Sequence, residues 1–320
     1  MIKLYYDEEN IMKIAFRIDI SEDIGTGHFI RMSALAEAFA DFGHTNKFFK
    51  GEDEPVDYRE FDIIILDTYQ VSDEYIAGLN AHGRTLVCYD DNALYTYNCD
   101  ILINANIYAQ ELEFKLAGKS PTMLIGGNYA LLRREFRENE PIIARQHANH
   151  VFVCFGGSDL RNMTASVVDA LQRIDDIQLS VVLGEYTNCD EDVNDIAEEN
   201  TAVFKTPISI CQIMSSCDIA VTSSGSIIYE LAAIGLPAII VPQVDNQFLV
   251  AEYMLRNELM KCTGNWENID FGCLKNEVTL LLGDYDRRKL ESIRLQKVVD
   301  KNGAINAARK IISLHLSNNR

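Results

Sequence analysis

The stretch Asp218-Ile219-Ala220-Val221-Thr222-Ser223-Ser224-Gly225-Ser226-Ile227-Ile228-Tyr229-Glu230, followed by Gly235-Leu236-Pro237-Ala238-Ile239-Ile240-Val241-Pro242, decides the fold. A short apolar run ends in a serine and glycine loop, a helical stretch follows, and a second β-branched run begins beyond a glycine and a proline. That order is a βαβ unit, and its strands lack alternation because a parallel strand is covered on both faces. The loop opens onto a helix N-terminus, where backbone N–H groups and the helix dipole favour an anion. Glu230 lies within about one turn of that helix start. A diphosphate on Ser224, Gly225 and Ser226 with a ribose hydroxyl pair on Glu230 fits this spacing, and so do serine caps with an exposed helical glutamate. Asn246 and Gln247, just beyond the next strand, extend the candidate set.

The same alternation runs outward from this unit. Strands are expected at 13–18, 61–66, 85–89, 100–103, 122–126, 150–155, 178–183, 202–204, 218–222 and 238–241, with amphipathic helices between them, which makes the chain α/β with parallel sheets. The polar segment 134–150 separates two strand–helix series. We therefore expect an N-terminal extension over 1–11, a Rossmann-like domain over 12–140, and a second Rossmann-like domain over 150–320 that ends in helices. A chain of 320 residues is natural for two such domains.

Composition narrows the function. With 48% hydrophobic residues the chain can bury sizeable cores. Its 48 acidic against 29 basic residues give net charge −19, which repels nucleic acid and anionic membrane surfaces. No apolar run approaches the ~20 residues a spanning helix needs, so no membrane insertion is expected. The eight cysteines include no Cys-x-x-Cys pair, and several sit in apolar runs such as Val151–Phe155. They read as small core residues in a reducing compartment, the cytoplasm. Neither a cofactor nor a metal is expected: no histidine-rich partner stands at zinc spacing from the cysteines.

Two further loops carry candidate chemistry. In the first domain the strand Ile14–Asp19 leads to Gly25-Thr26-Gly27-His28-Phe29-Ile30-Arg31, and Met32, Leu35, Ala36 and Phe39 then recur at helical spacing. A Gly-x-Gly turn lets backbone approach a ligand closely, although Ile30 stands where a dinucleotide fingerprint has its third glycine. His28 at such a helix start reads either as a polar cap or as an acid–base group. In the second domain Phe155-Gly156-Gly157-Ser158-Asp159 ends the opening strand, where ligands bind in open α/β sheets. The glycines expose N–H groups that can cradle a diphosphate, and Asp159 equally suits a helix N-cap.

The serine–glycine loop, the Glu230 helix, Gly235-Leu236-Pro237 and the Gln247 region resemble the nucleotide-binding half of GT-B enzymes such as the peptidoglycan UDP-GlcNAc transferase. A finer resemblance begins in the first domain. Arg17-Ile18-Asp19, Gly25-Thr26-Gly27-His28-Phe29-Ile30-Arg31, Asp67-Thr68-Tyr69, Asp90-Asp91, Cys99-Asp100 through Ala109, and Tyr129 through Phe136 occur in this order, and Phe155 through Asn162 continues the series. This set is similar to the UDP-sugar hydrolases of pseudaminic acid biosynthesis, which release 2,4-diacetamido-2,4,6-trideoxy-L-altrose from its UDP conjugate. The resemblance covers residues 13 to about 255.

The resemblance implies a GT-B architecture, two Rossmann-like domains facing across a cleft, and inverting, metal-free attack of water at the anomeric carbon. Carried onto this sequence, His28 is the base or water-orienting group, Tyr69 helps hold water or sugar, and Asp19 orients His28 or its loop. Tyr69 also reads as a packed aromatic with a wet hydroxyl. Gly25, Gly27, Arg31, Gly156, Gly157, Ser158, Asp159, Ser224, Gly225, Ser226, Glu230, Asn246 and Gln247 are then the substrate-binding candidates. The implied partners are a small-molecule UDP-sugar and other enzymes of the same sugar pathway. A GT-B glycosyltransferase with a UDP-sugar donor is the alternative, and a non-catalytic nucleotide-sugar binding protein is a third reading.

Overall fold

The computed structural model describes residues 11–19, 27–50, 57–69, 72–80, 84–93, 95–118, 120–159, 161–187 and 189–318. The chain divides into two compact units, one of residues 1–134 with 301–320, the other of residues 135–300.

In the first unit the elements run β1 (Lys13–Ile18), α1 (Gly27–Asp41), β2 (Thr45–Lys50), β3 (Ile63–Asp67), α2 (Asp73–Asn80), β4 (Thr85–Tyr89), β5 (Thr96–Tyr97), β6 (Ile101–Asn104), β7 (Lys115–Leu116) and β8 (Thr122–Ile125). Six strands form one parallel sheet in the order β2-β1-β3-β4-β6-β8, and β5 pairs with β7 apart from it. The pleat sends alternate side chains to opposite faces. Ile14, Phe16, Ile18, Ile63, Ile65, Val87, Ile101 and Ile103 enter one core with Met32, Leu35 and Phe39 of α1. Ala15, Ile64, Leu66, Leu86, Cys88 and Leu102 enter the other with Ile76 and Leu79. Both faces are therefore apolar, as the unbroken runs of β1 and β3 require.

The short helix α3 (Arg134–Glu138) contains the division between the units. In the second unit follow β9 (His150–Cys154), α4 (Met163–Leu171), β10 (Gln178–Leu183), α5 (Asp190–Ile196), β11 (Thr201–Lys205), α6 (Ile210–Ser216), β12 (Ile219–Thr222), α7 (Ile227–Ile234), β13 (Ala238–Ile240), α8 (Asp245–Arg256), β14 (Lys261–Cys262), α9 (Phe271–Gly283) and α10 (Tyr285–Leu295). Its parallel sheet has the order β11-β10-β9-β12-β13-β14, which is the doubly wound Rossmann order. Gly235 ends α7 at φ +72, and a Cβ there would lie 2.6 Å from Ser292 Oγ and Gln296 Nε2 of the α10 segment, so only glycine fits. The buried Arg288 guanidinium donates to the carbonyls of Leu281, Leu282 and Arg145, joining α10 to the end of α9 and to the segment that leads into β9.

The last helix, α11 (Gly303–Asn318), corrects the expected domain limits. Residues 301–320 belong with the first unit, not with the second domain that was expected to run from 150 to 320. Ala304, Ala307, Ala308 and Ile311 face the core shared by β1 and α1. A Cβ at Gly303 would sit 2.3 Å from the Ala130 carbonyl, so the helix enters against the backbone of residues 129–130. His315 Nδ1 lies 2.9 Å from Thr85 Oγ1 at the start of β4. Among the described residues no helix is long and apolar enough to cross a membrane.

Candidate functional site

In each sheet the strand order reverses beside the opening strand, between β1 and β3 in the first unit and between β9 and β12 in the second. Loops beyond the C-terminal strand ends diverge at such a point and leave room for a ligand. The sequence candidates fall at these two places.

In the first unit Asp19 leaves β1, Asp67 ends β3 with Thr68 and Tyr69 after it, Asp90 and Asp91 follow β4, and His28 opens α1. His28 is 3% exposed. Its Nδ1 lies 3.0 Å from Asp67 Oδ1 and 3.1 Å from the Asp67 carbonyl. Both neighbours are acceptors, so Nδ1 carries the hydrogen, and Nε2 of the neutral ring is left as an acceptor. The His28 and Tyr69 rings meet edge to face with centroids 4.6 Å apart.

Arg31, three residues along α1, bridges two carboxylates. Its Nε and Nη2 donate to Asp67 at 2.6 and 2.5 Å, its Nη1 donates to Asp91 at 2.9 Å, and its guanidinium stacks 4.3 Å over the Tyr89 ring. The fork of a guanidinium suits such bidentate pairing. Burial by itself would raise the Asp67 carboxyl, but the Arg31 charge and the hydrogen bonds from Arg31 and His28 outweigh it and hold the group below the usual range. Burial likewise opposes the Arg31 charge, and Asp67 and Asp91 together push its pKa well above the usual value. Tyr69 donates its hydroxyl to Asp91 at 2.8 and 2.9 Å, and burial with the Asp91 charge raises the phenol far above 10.

Two expected residues have defined protein partners. Asp19 was expected to orient His28 or its loop; it accepts from Thr68 Oγ1 and from the Tyr69 backbone N–H, both at 2.7 Å, and so ties the end of β1 to the segment after β3. The carboxylate at His28 is that of Asp67. Arg31 was expected to bind substrate, and its guanidinium is engaged by Asp67 and Asp91. Asp67 and Asp91 had been quoted from the sequence without a role. Their only signal there was position, an aspartate just beyond an apolar run. Gly27 begins α1 with open space around a would-be Cβ, and Gly25 lies outside the described residues.

The second unit's switch point is built from backbone. Gly156 takes φ +94, which glycine alone adopts without strain. The loop packs on the end of β10, where a Cβ at Gly184 would lie 2.4 Å from the Gly157 carbonyl, while Tyr186 N donates to that carbonyl at 3.0 Å. Ser158 is half-buried. Asp159, also an expected substrate ligand, is buried and caps α4: it accepts from Met163 N and Thr164 N at 3.0 and 2.9 Å and from Gln243 Nε2 at 3.0 Å. Its charge, after burial, helps push the Cys189 thiol up to about 11.

Three loops are joined through this centre. Gln243 N donates to Gln247 Oε1 at 2.9 Å, and the buried Ser224 Oγ donates to the Gln247 carbonyl at 2.9 Å. Gly225 lies against Gln247 Nε2, Ser226 is the exposed N-cap of α7, Glu230 is buried on that helix, and Asn246 is exposed in the first turn of α8. Gln243 and Gly184 were missed in the sequence, where a glutamine after a strand and a glycine after another carry no distinguishing pattern. Among the described residues no group of three or more His, Cys, Asp and Glu side chains is placed to hold a metal ion.

No family model matches the chain. It is 24% identical over 275 residues to an uncharacterised protein of Methanocaldococcus jannaschii, which covers 74% of this chain and 57% of that protein. It is 30% identical over 185 residues to the UDP-2,4-diacetamido-2,4,6-trideoxy-beta-L-altropyranose hydrolase of Campylobacter jejuni, 51% of this chain and 66% of that enzyme. The chain thus spans less than two thirds of the length of either relative. Among solved structures, the glycosyltransferase of kitacinnamycin superposes with TM-score 0.65 at 13% identity over 95% of this chain and 99% of that one. The glycosyltransferase VinC in complex with dTDP superposes with TM-score 0.64 at 14% identity over 96% and 100%. The chain has the GT-B fold of these glycosyltransferases.

Proposed function

We propose that the chain hydrolyses a nucleotide sugar, removing UDP from UDP-2,4-diacetamido-2,4,6-trideoxy-β-L-altropyranose by inverting attack of water at the anomeric carbon. The observation that carries the reading is the placement of His28, whose Nδ1 faces two acceptors and whose Nε2 is thereby left to accept a proton. The 30% identity to the Campylobacter jejuni hydrolase supports the choice of substrate.

In this reading His28 takes the proton of the attacking water, and the C1–O bond to phosphate breaks with its electron pair leaving on UDP. Tyr69 holds the water or the sugar. The departing diphosphate is stabilised by the N–H groups of Gly156 and Gly157 and by the N-terminal dipole of α7 beside Ser224, Gly225 and Ser226, so the reaction runs without a cation. Ser158 adds a hydroxyl to that cradle, Glu230 receives the ribose, and Asn246 and Gln247 contact sugar or diphosphate. Gly25 and Gly27 are assigned to the substrate, with open space beside Gly27 at the start of α1.

The test is incubation with that UDP-sugar in the absence of any acceptor, counting UDP released per enzyme. Many turnovers are expected, unchanged by EDTA. His28→Ala should lower kcat by about 10²- to 10⁴-fold and leave UDP affinity intact. Release of UDP only on adding an acceptor alcohol would establish the transferase reading, which the glycosyltransferase fold favours. No UDP release with or without acceptor, together with UDP-sugar binding that His28→Ala leaves unchanged, would leave a binding protein. Turnover with a different UDP-sugar only would keep the reaction and change the sugar.

A further inference from the structure

We propose that Arg31 is a positioning residue whose bridge between Asp67 and Asp91 leaves His28 Nε2 and Tyr69 Oη as two acceptors of one site, and that this pair selects water over an alcohol as nucleophile. The inference rests on the hydrolase reading above and deepens it by naming what excludes transfer.

One guanidinium sets both groups. Asp67, held by Arg31 Nε and Nη2, accepts a hydrogen bond from His28 Nδ1. Asp91, held by Arg31 Nη1 and by Asn92 Nδ2 at 2.9 Å, accepts from the Tyr69 hydroxyl. A phenol has a single proton, and with that proton directed at Asp91 the Tyr69 oxygen presents only lone pairs elsewhere. Burial beside Asp91 raises the phenol, so the group stays protonated and neutral. The two rings meet edge to face with centroids 4.6 Å apart, so both acceptors belong to one site.

Two acceptors match a molecule with two O–H bonds. Water donates one to Nε2 and one to Oη, which leaves a lone pair to form the bond to the anomeric carbon while the first proton passes to His28. An alcohol has one O–H, so either Nε2 or Oη meets a carbon substituent and loses its hydrogen bond. A polar group left unpaired in this way disfavours the wrong partner by about 10- to 100-fold. Lysine cannot replace the arginine, because a point charge lacks the fork that holds two carboxylates in fixed positions.

The experiment is hydrolysis of UDP-2,4-diacetamido-2,4,6-trideoxy-β-L-altropyranose by the full chain in water–methanol mixtures, measuring UDP release and the ratio of methyl glycoside to free sugar. The wild-type protein should give almost entirely free sugar. Tyr69→Phe, which leaves the Arg31 bridge whole, should raise the methyl glycoside fraction about tenfold with KM changed by less than about twofold. Arg31→Lys, checked for folding by circular dichroism, should move the ratio in the same direction and lower kcat. A wild-type ratio in Tyr69→Phe or in folded Arg31→Lys overturns the inference and leaves the hydrolase reading standing. Wild-type protein that releases UDP only with methanol present overturns both.

Discussion

The two switch points both lie beside the opening strand of a parallel sheet and use opposite materials. In the first unit the strand ends carry Asp19, Asp67, Asp90 and Asp91, and a single arginine organises two of them around a histidine and a tyrosine. In the second unit the corresponding loops carry Gly156, Gly157, Ser224 and Gly225, and the buried carboxylate of Asp159 is turned inward onto backbone N–H groups and Gln243. Side-chain charge is concentrated where bonds would be made and broken, and backbone dipoles where a charged leaving group would rest. A doubly wound sheet provides the place, and residue choice decides between chemistry and cradle.

The sharpest way to break the comparison is Asp67→Asn. An amide at this position no longer fixes the His28 tautomer, and kcat should fall by about 10²- to 10⁴-fold while UDP affinity holds. Loss of UDP affinity alone, measured by calorimetry, would mean that the first unit is not where the charge acts. The same substitution should destabilise by about 3 kcal/mol, because it leaves the Arg31 charge with one carboxylate in place of two. Since the folded Asp67 carboxyl is depressed, its contribution is complete above the unfolded value of about 4 and disappears as pH falls through the folded value. Urea unfolding of the wild type should therefore weaken below about pH 4 more steeply than that of Asp67→Asn.

Asp159→Ala probes the other side. It strips the acceptor from Met163 N, Thr164 N and Gln243 Nε2 and should cost about 1–3 kcal/mol of stability. UDP affinity should fall with it, and the pH profile of kcat should keep its shape; a shifted profile would mix the two roles. The smallest effect belongs to Gly156→Ala. No atom lies within 4 Å of the added Cβ, so the penalty is the strain of φ +94 alone, about 1–2 kcal/mol, with a modest loss of UDP affinity. A kcat change larger than the affinity change would contradict the cradle.

Much of this was legible because parallel strands in a covered sheet are unbroken apolar runs. β2 was not, since Thr45-Asn46-Lys47-Phe48-Phe49-Lys50 is an edge strand with three polar or charged residues before its aromatic pair. Positions of His28, Tyr69 and the Gly156-Gly157 loop were readable from the order strand, loop, helix. Partners were not: nothing in the letters tells whether a carboxylate near a loop faces a histidine, as Asp67 does, or a backbone N–H, as Asp19 and Asp159 do. Arg31 illustrates the same limit, because a cation near a proposed anion site looks free until the two carboxylates that surround it are in place. The face of α11 was visible in Ala304, Ala307, Ala308 and Ile311, but helical spacing shows that a face is buried without showing against what.

That last helix has a consequence for how the protein is made. The core of β1 and α1 is closed by residues that leave the ribosome after the whole of residues 135–300. N-terminal domains ordinarily fold first during synthesis. Here the nascent first sheet must wait with Phe16, Ile63 and Leu35 incompletely covered, while the later unit already has every strand it needs. The unit that holds the histidine is thus completed after the unit whose strands follow it in the chain.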